Sequence, residues 1–225
     1  RLATRARRIT LLPHALDERL LAPRFPDPPG RLAARPLIDR PLVIGSMGTL
    51  THDEDLELLL PALFEIARLY PGRVSLELTG MLGKAVTRQK LAGLPVRFIG
   101  PQGEEQDYPL FMLWFTSRVQ WDIALAPLAD TSFNQAKSEI KFLDYSAIAA
   151  AGIYSPIPAY RAAVQPGVTG LLAESTPAAW LEALRRLIEA PDLREQIARR
   201  AWQELHAGRT LAHCYPHWIE AFDLP

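Results

Sequence analysis

From Pro41 to the C-terminus, short apolar runs closed by glycine or proline alternate with longer amphipathic stretches, and this alternation limits the fold more than any other feature. The runs "PLVIGSMG", "VSLELTG", "VRFIG", "DIALAPL", "GIYSPI" and "TGLLAE" each read as buried strands. After the first comes "THDEDLELLLPALFEIARLY", which sets Leu56, Leu59, Leu60, Leu63, Ile66 and Ala67 on one helical side, with Thr51 and Glu54 spaced as a capping box. "DYPLFMLWFTSR" reads as another helix, and beyond Thr176 the chain reads helical, with Thr176 as cap, Pro177 at the first helical position and a break at Pro191. Strands alternating with helices pair in parallel through right-handed crossovers and are covered on both faces. The expected fold is therefore α/β, a doubly wound parallel sheet of Rossmann-like type, whose ligands bind beyond the carboxyl ends of the strands.

Before Pro41 the pattern changes. "RITLLPHALD" reads as a short strand, Ile9 to Leu12, closed by Pro13, and "APRFPDPPGRLAARPLIDRP" crowds six prolines around Gly30 as a semi-rigid connector. The chain opens at Arg1, with no methionine and no signal-peptide pattern, and reads as a fragment. Arg1, Arg5, Arg7 and Arg8 form either a solvated helix end or a contact for an acidic partner.

The 25 basic and 25 acidic residues cancel, so no global field draws the chain to nucleic acid or to an anionic membrane surface, and any anion site must be local. No apolar run approaches the ~20 residues that cross a bilayer. Cys214 is the single cysteine, and no Cys/His cluster has metal-ligand spacing, which suits a reducing compartment such as the cytoplasm and predicts no metal site.

Three stretches carry chemistry. In "NQAKSEIKFLDY", read as opening a helix near Lys137, Lys141 follows Lys137 by one turn, and Asp144 shares their face. A helix start carries partial positive charge, so two cations there are mildly unfavourable unless an anion docks against the free N–H groups near Lys137 and Ser138. The other reading is two solvated lysines. The loop "GSMGTLTH" places Gly45 and Gly48 between a strand and a helix, either as a close-approach loop or as a tight turn, with His52 beside it; it lacks the third glycine of a dinucleotide fingerprint. "TGMLGK" adds Gly80, Gly83 and Lys84 after the next strand. Loops from three strand ends converge on one crevice in a doubly wound sheet.

These stretches, taken in order with "PLVIGSMGTLTHDEDLELLLPAL", "WDIALAPL", "NQAKSEIKFLDYSAIAAAGIYSPIPAY" and "GVTGLLAE", resemble the C-terminal half of a retaining, nucleotide-sugar-dependent glycosyltransferase of the GT-B fold (glycosyl transferases group 1 family). The resemblance runs from about Ile9 to the C-terminus. It implies residues 1–20 as the remnant of an N-terminal acceptor domain, 21–41 as linker, 42–207 as the donor-binding domain, and 208–225 as a helix returning toward the missing domain. It implies Lys137 and Lys84 as the catalytic cations on the leaving diphosphate. By the resemblance Ser138 and Ile140 would lie around the diphosphate, Gly48 and Thr49 would contact the diphosphate or the acceptor, Ile99, Gly100 and Pro101 would flank the base, and Asp144 would accept from the ribose hydroxyls. Lys141 and Gly80 join the donor-binding candidates from the lysine spacing and the glycine loop.

The implied substrate is a UDP- or GDP-linked hexose; no cofactor is expected, and no metal, since no Asp-x-Asp ends a strand. The acceptor, a glycan, lipid or protein, would bind the missing half, in the cytoplasm or at the periphery of the inner membrane. The family commonly has two glutamates seven residues apart, where this chain has Ala136 and Asp144; Glu139 lies three residues from the vacant position. Two other classes fit the pattern: a non-catalytic nucleotide-binding or interaction module of the same fold, and a phosphoacceptor receiver domain, which would need acids where Gly45, Ser46 and Gly48 stand.

Overall fold

The computed structural model describes residues 10–21, 40–48, 53–80, 89–101 and 107–222. Its centre is a six-stranded, wholly parallel sheet of β1 (Leu42–Met47), β2 (Val74–Thr79), β3 (Val96–Ile99), β4 (Ile123–Ala126), β5 (Ala151–Tyr154) and β6 (Leu171–Leu172), in the order β3-β2-β1-β4-β5-β6. The expected doubly wound architecture is present. The chain winds outward from β1 to β3 and then returns to lay β4 on the other side of β1. The helices that follow β1 and β4, at Asp53–Leu69 and Ile140–Ala147, pack on opposite faces, so the carboxyl end between these two strands is the switch point at which such sheets form a ligand crevice.

Seven helices lie among the described residues: α1 (Asp53–Leu69), α2 (Tyr108–Arg118), α3 (Ile140–Ala147), α4 (Pro158–Ala163), α5 (Pro177–Glu189), α6 (Pro191–Gly208) and α7 (Leu211–Ala221). One face of the sheet packs Ile44, Leu76, Leu78, Ile123 and Leu125 against Leu56, Leu59, Leu63 and Ile66 of α1 and Trp180, Leu184 and Leu187 of α5. The other face presents Ala124 and Ala126 to Phe115 of α2, Phe142, Leu143 and Tyr145 of α3, and Leu205 of α6. Small residues on that face leave room for the aromatic layer. Gly45 shows the same economy, since a Cβ built there would stand 1.8 Å from Trp121.

Thr176 caps α5 by accepting from the Ala179 N–H at 3.3 Å, with Pro177 first in the helix, as the sequence predicts. Pro191 opens α6 directly after α5 ends. On α1, Ala62 is buried where Leu60 and Ala67 were expected, both being only partly covered. The Thr51–Glu54 capping box falls outside the described residues.

Two expectations are corrected. Thr10 to Leu12 form no strand; further on, at the α6–α7 junction, Leu16 donates to the Arg209 carbonyl (3.0 Å) and accepts from the Leu211 N–H (2.9 Å), and among the described residues this stretch pairs with no strand of the sheet. Ile9 is outside the described residues. The helix expected near Lys137 begins at Ile140, after a 3₁₀ turn at Asn134–Ala136 and an extended Lys137 (φ −72°, ψ 159°). Tertiary bonds decide this start, because the Asn134 amide is fixed by Asp55 and by the Ala129 carbonyl.

Candidate functional site

The site is assembled at the crevice between the ends of β1 and β4. Asp55, in the first turn of α1, is buried and accepts from the Ala129 N–H (2.7 Å) and from Asn134 Nδ2 (3.0 Å). A carboxylate is favoured at a helix start. By reaching the loop after β4 it ties the two diverging connections together. The Lys137 ammonium lies 3.7 Å from Asp55 Oδ2 and 5.3 Å from the centre of the Phe133 ring, a ring that is itself 70% exposed. Burial lowers the Lys137 pKa, with Asp55 opposing.

Lys141, in the first turn of α3, is the least satisfied group in the crevice. Its stem is part-exposed, but Nζ is buried with no hydrogen-bond partner among the described residues. Burial pulls its pKa down to about 8; Asp55 and Asp144 act against that shift, and Lys137 adds to it. Among the described residues no backbone carbonyl accepts from the N–H of Ser138, Glu139, Ile140 or Lys141. A buried ammonium without a hydrogen-bond partner and four amide donors without a backbone acceptor, all among the described residues, thus fall within the four residues 138–141 at the start of α3, a combination that fits an anion.

Asp144, one turn further along α3, is buried, and desolvation raises its pKa to about 7 against the opposing pull of the Tyr108 hydrogen bond and Lys141. The Tyr108 hydroxyl, from the start of α2, donates to Asp144 Oδ1 at 3.3 Å.

The other sequence-derived candidates fall as follows. Gly48 and Gly80 end β1 and β2 in mutual contact: the Gly48 N–H donates to the Thr79 carbonyl (3.1 Å), and a Cβ on Gly80, whose φ is +72°, would stand 2.3 Å from the Gly48 oxygen. Gly80 is thereby needed for the turn itself. Ile99, Gly100 and Pro101 leave β3 on the same edge of the sheet. Thr49, His52, Gly83 and Lys84 lie outside the described residues. Glu139 is engaged elsewhere, by Arg209 Nη2 (2.5 Å) and His14 Nδ1 (3.3 Å). Ala136 is exposed at the end of the 3₁₀ turn.

Sequence reasoning missed Asp55, Asn134 and Tyr108. Asp55 had a legible sign, a carboxylate next to Leu56 and one turn before Leu59 on the apolar side of α1. Among the described residues no three His, Cys, Asp or Glu side chains form a group able to hold a metal.

This arrangement has recognisable kin. The chain belongs to the glycosyl transferase-like family, whose pattern it matches over residues 84–220. No curated protein sequence matches. Among solved structures, HepE of Anabaena in complex with UDP-glucose shares 15% identity, covering 95% of this chain and 57% of that one at a TM-score of 0.67. Sucrose-phosphate synthase of Thermosynechococcus elongatus shares 16% identity, covering 95% and 52%, also at 0.67. The C-terminal domain of LpcC, a glycosyl transferase group 1 family protein of Francisella tularensis, shares 17%, covering 87% and 99%, at 0.60. These likenesses establish the fold as the C-terminal half of a GT-B glycosyltransferase. The chain spans little more than half the length of the first two structures.

Proposed function

We propose that this crevice binds the diphosphate of a UDP- or GDP-linked sugar and that the chain is the donor-binding half of an enzyme transferring a hexose with retention. The observation that carries the reading is the buried Lys141 ammonium, without a hydrogen-bond partner among the described residues, at a helix entry whose Ser138 to Lys141 N–H groups no described backbone carbonyl accepts. A diphosphate would satisfy all of them at once. HepE, whose fold this chain shares, is seen in complex with UDP-glucose and with UDP, which supports a nucleotide as the ligand. The acceptor, a glycan, lipid or protein, would be held by a second half. No helix among the described residues is long and apolar enough to cross a membrane, and we place the protein in the cytoplasm or peripherally at the inner membrane.

Rupture of the bond between the anomeric carbon and the diphosphate oxygen puts negative charge on the leaving group. Lys137 and Lys141, with the amide dipoles of Ser138 to Lys141, would offset that charge as it develops, and donors fixed beforehand spend no free energy on reorganisation during the step. Lys84 is proposed as a third cation on the same phosphates. Gly48, Thr49 and Gly80 would border the phosphates, Ile99 to Pro101 the base, and Asp144 the ribose hydroxyls.

Calorimetric titration of the chain with UDP, GDP and ADP tests the site. Lys137→Ala and Lys141→Ala should each weaken the preferred nucleotide by roughly tenfold or more, the worth of a charge-assisted bond. Equal affinity for wild type and both variants would remove the assignment.

A second reading, a non-catalytic nucleotide-binding module, draws on Ala136 at the family's first acidic position and on Glu139 being held by Arg209 and His14. Sugar transfer by the full-length parent separates the two readings.

A further inference from the structure

Tyr108 has no role in the reading above, yet the fold brings its hydroxyl to the one acid of the crevice that lies beyond the phosphate cations. It is the first residue of α2, on the connection that leaves β3 beside Gly100 and Pro101. The residue is 48% exposed, but its hydroxyl turns inward to Asp144 Oδ1, and that bond is the only one made by the Asp144 side chain among the described residues. An ionised carboxylate accepts about four hydrogen bonds, so Oδ2 and the second lone pair of Oδ1 remain open. Lys141 acts on Asp144 from one turn away on α3, and Tyr108 bonds Asp144 from the start of α2, the next described helix after β3.

We propose that Tyr108 is a positioning residue for the donor ribose: its phenol orients the Asp144 carboxylate so that the open lone pairs accept from the 2′- and 3′-hydroxyls. The inference rests on the nucleotide-binding reading and deepens it. Tyr108 also acts on the charge of Asp144. A donated hydrogen bond favours the carboxylate, and burial favours the neutral acid.

The other groups facing Asp144 are Lys141 and Tyr145 on α3 itself, Tyr154 on β5 and Tyr160 on α4. The three further phenols have pKa values raised by burial and stay neutral across the physiological range. With Tyr108 removed, Lys141 is the remaining group that holds the carboxylate ionised.

The test compares, by calorimetry on the 225-residue chain, UDP with 2′,3′-dideoxyuridine diphosphate, or the guanosine pair if GDP binds better, from pH 6 to pH 9. The ratio of the two affinities cancels the titration of phosphate and lysines and reports the ribose hydroxyls alone. Wild type should prefer the ribonucleotide by roughly tenfold at high pH, and the preference should fade as pH drops through about 7. Tyr108→Phe should move that fade to higher pH, so that the ratio at pH 7 is several-fold lower than in wild type. Asp144→Asn should flatten the ratio at every pH, and thermal melting confirms that both variants fold. A Tyr108→Phe profile that overlies wild type, or a wild-type ratio independent of pH, overturns the inference. If Lys141-dependent binding persists in either case, the nucleotide site stands and only the role of Tyr108 falls; if neither nucleotide binds, both fall.

Discussion

A buried ammonium without a hydrogen-bond partner destabilises a protein, and among the described residues Lys141 is such a group. Lys141→Met should therefore raise the melting temperature of the unliganded chain near pH 7 by about 2–8 °C, a few kcal/mol at this size, while weakening nucleotide binding by roughly tenfold or more. A parallel loss of stability and binding would contradict the account. The pH dependence has a definite sign. Asp144 has a folded pKa raised from 3.8 to about 7, so its contribution to stability is complete below pH 4 and is lost as pH rises through 7. Lys141 is lowered from 10.5 to about 8, so the folded protein binds fewer protons than the unfolded chain between those values and gains stability as pH rises across that window. Together they put the minimum of this pair's contribution between about pH 7 and pH 8. Thermal melts of wild type against a Lys141→Met, Asp144→Asn double variant should show a dip there that the variant lacks. Spacing alone placed Lys137, Lys141 and Asp144 together; it could not tell that Lys141 Nζ is buried and Lys137 drawn to Asp55, because both depend on a residue more than 80 positions away.

Among elements, the glycine turns and the start of α3 set the crevice. Gly80→Ala would demand a positive φ from alanine and push a methyl group into the Gly48 carbonyl. We expect a loss of roughly 1–3 kcal/mol in urea unfolding, with weaker UDP binding as the exits of β1 and β2 separate. Unchanged unfolding would show that the two turns can part freely. The strands were readable because each is an apolar run bounded by turn residues, and β1 and β2 are buried at nearly every position. The entry to α3 was not, since the side-chain amide of Asn134 gives its turn a stronger set of partners than helix propensity offers. Leu11 is 94% exposed, so the apolar run there lacks the packed face a strand in this fold would have.

At the scale of the whole molecule, zero net charge and a local cluster of cations agree: attraction for a diphosphate must come from the crevice and not from the protein's overall field. The order of strands decides where that crevice lies, since only between β1 and β4 do neighbouring connections run to opposite faces. The LpcC domain, covered over 99% of its length, shows that a comparable half exists as a structure of its own. The most direct measurement is a crystal structure of this chain with UDP. The account predicts phosphate oxygens within hydrogen-bond reach of Lys141 Nζ and of the N–H groups of Ser138 to Lys141, with the ribose against Asp144. A nucleotide bound elsewhere on the sheet, or one leaving the Lys141 ammonium still without a partner, would contradict it.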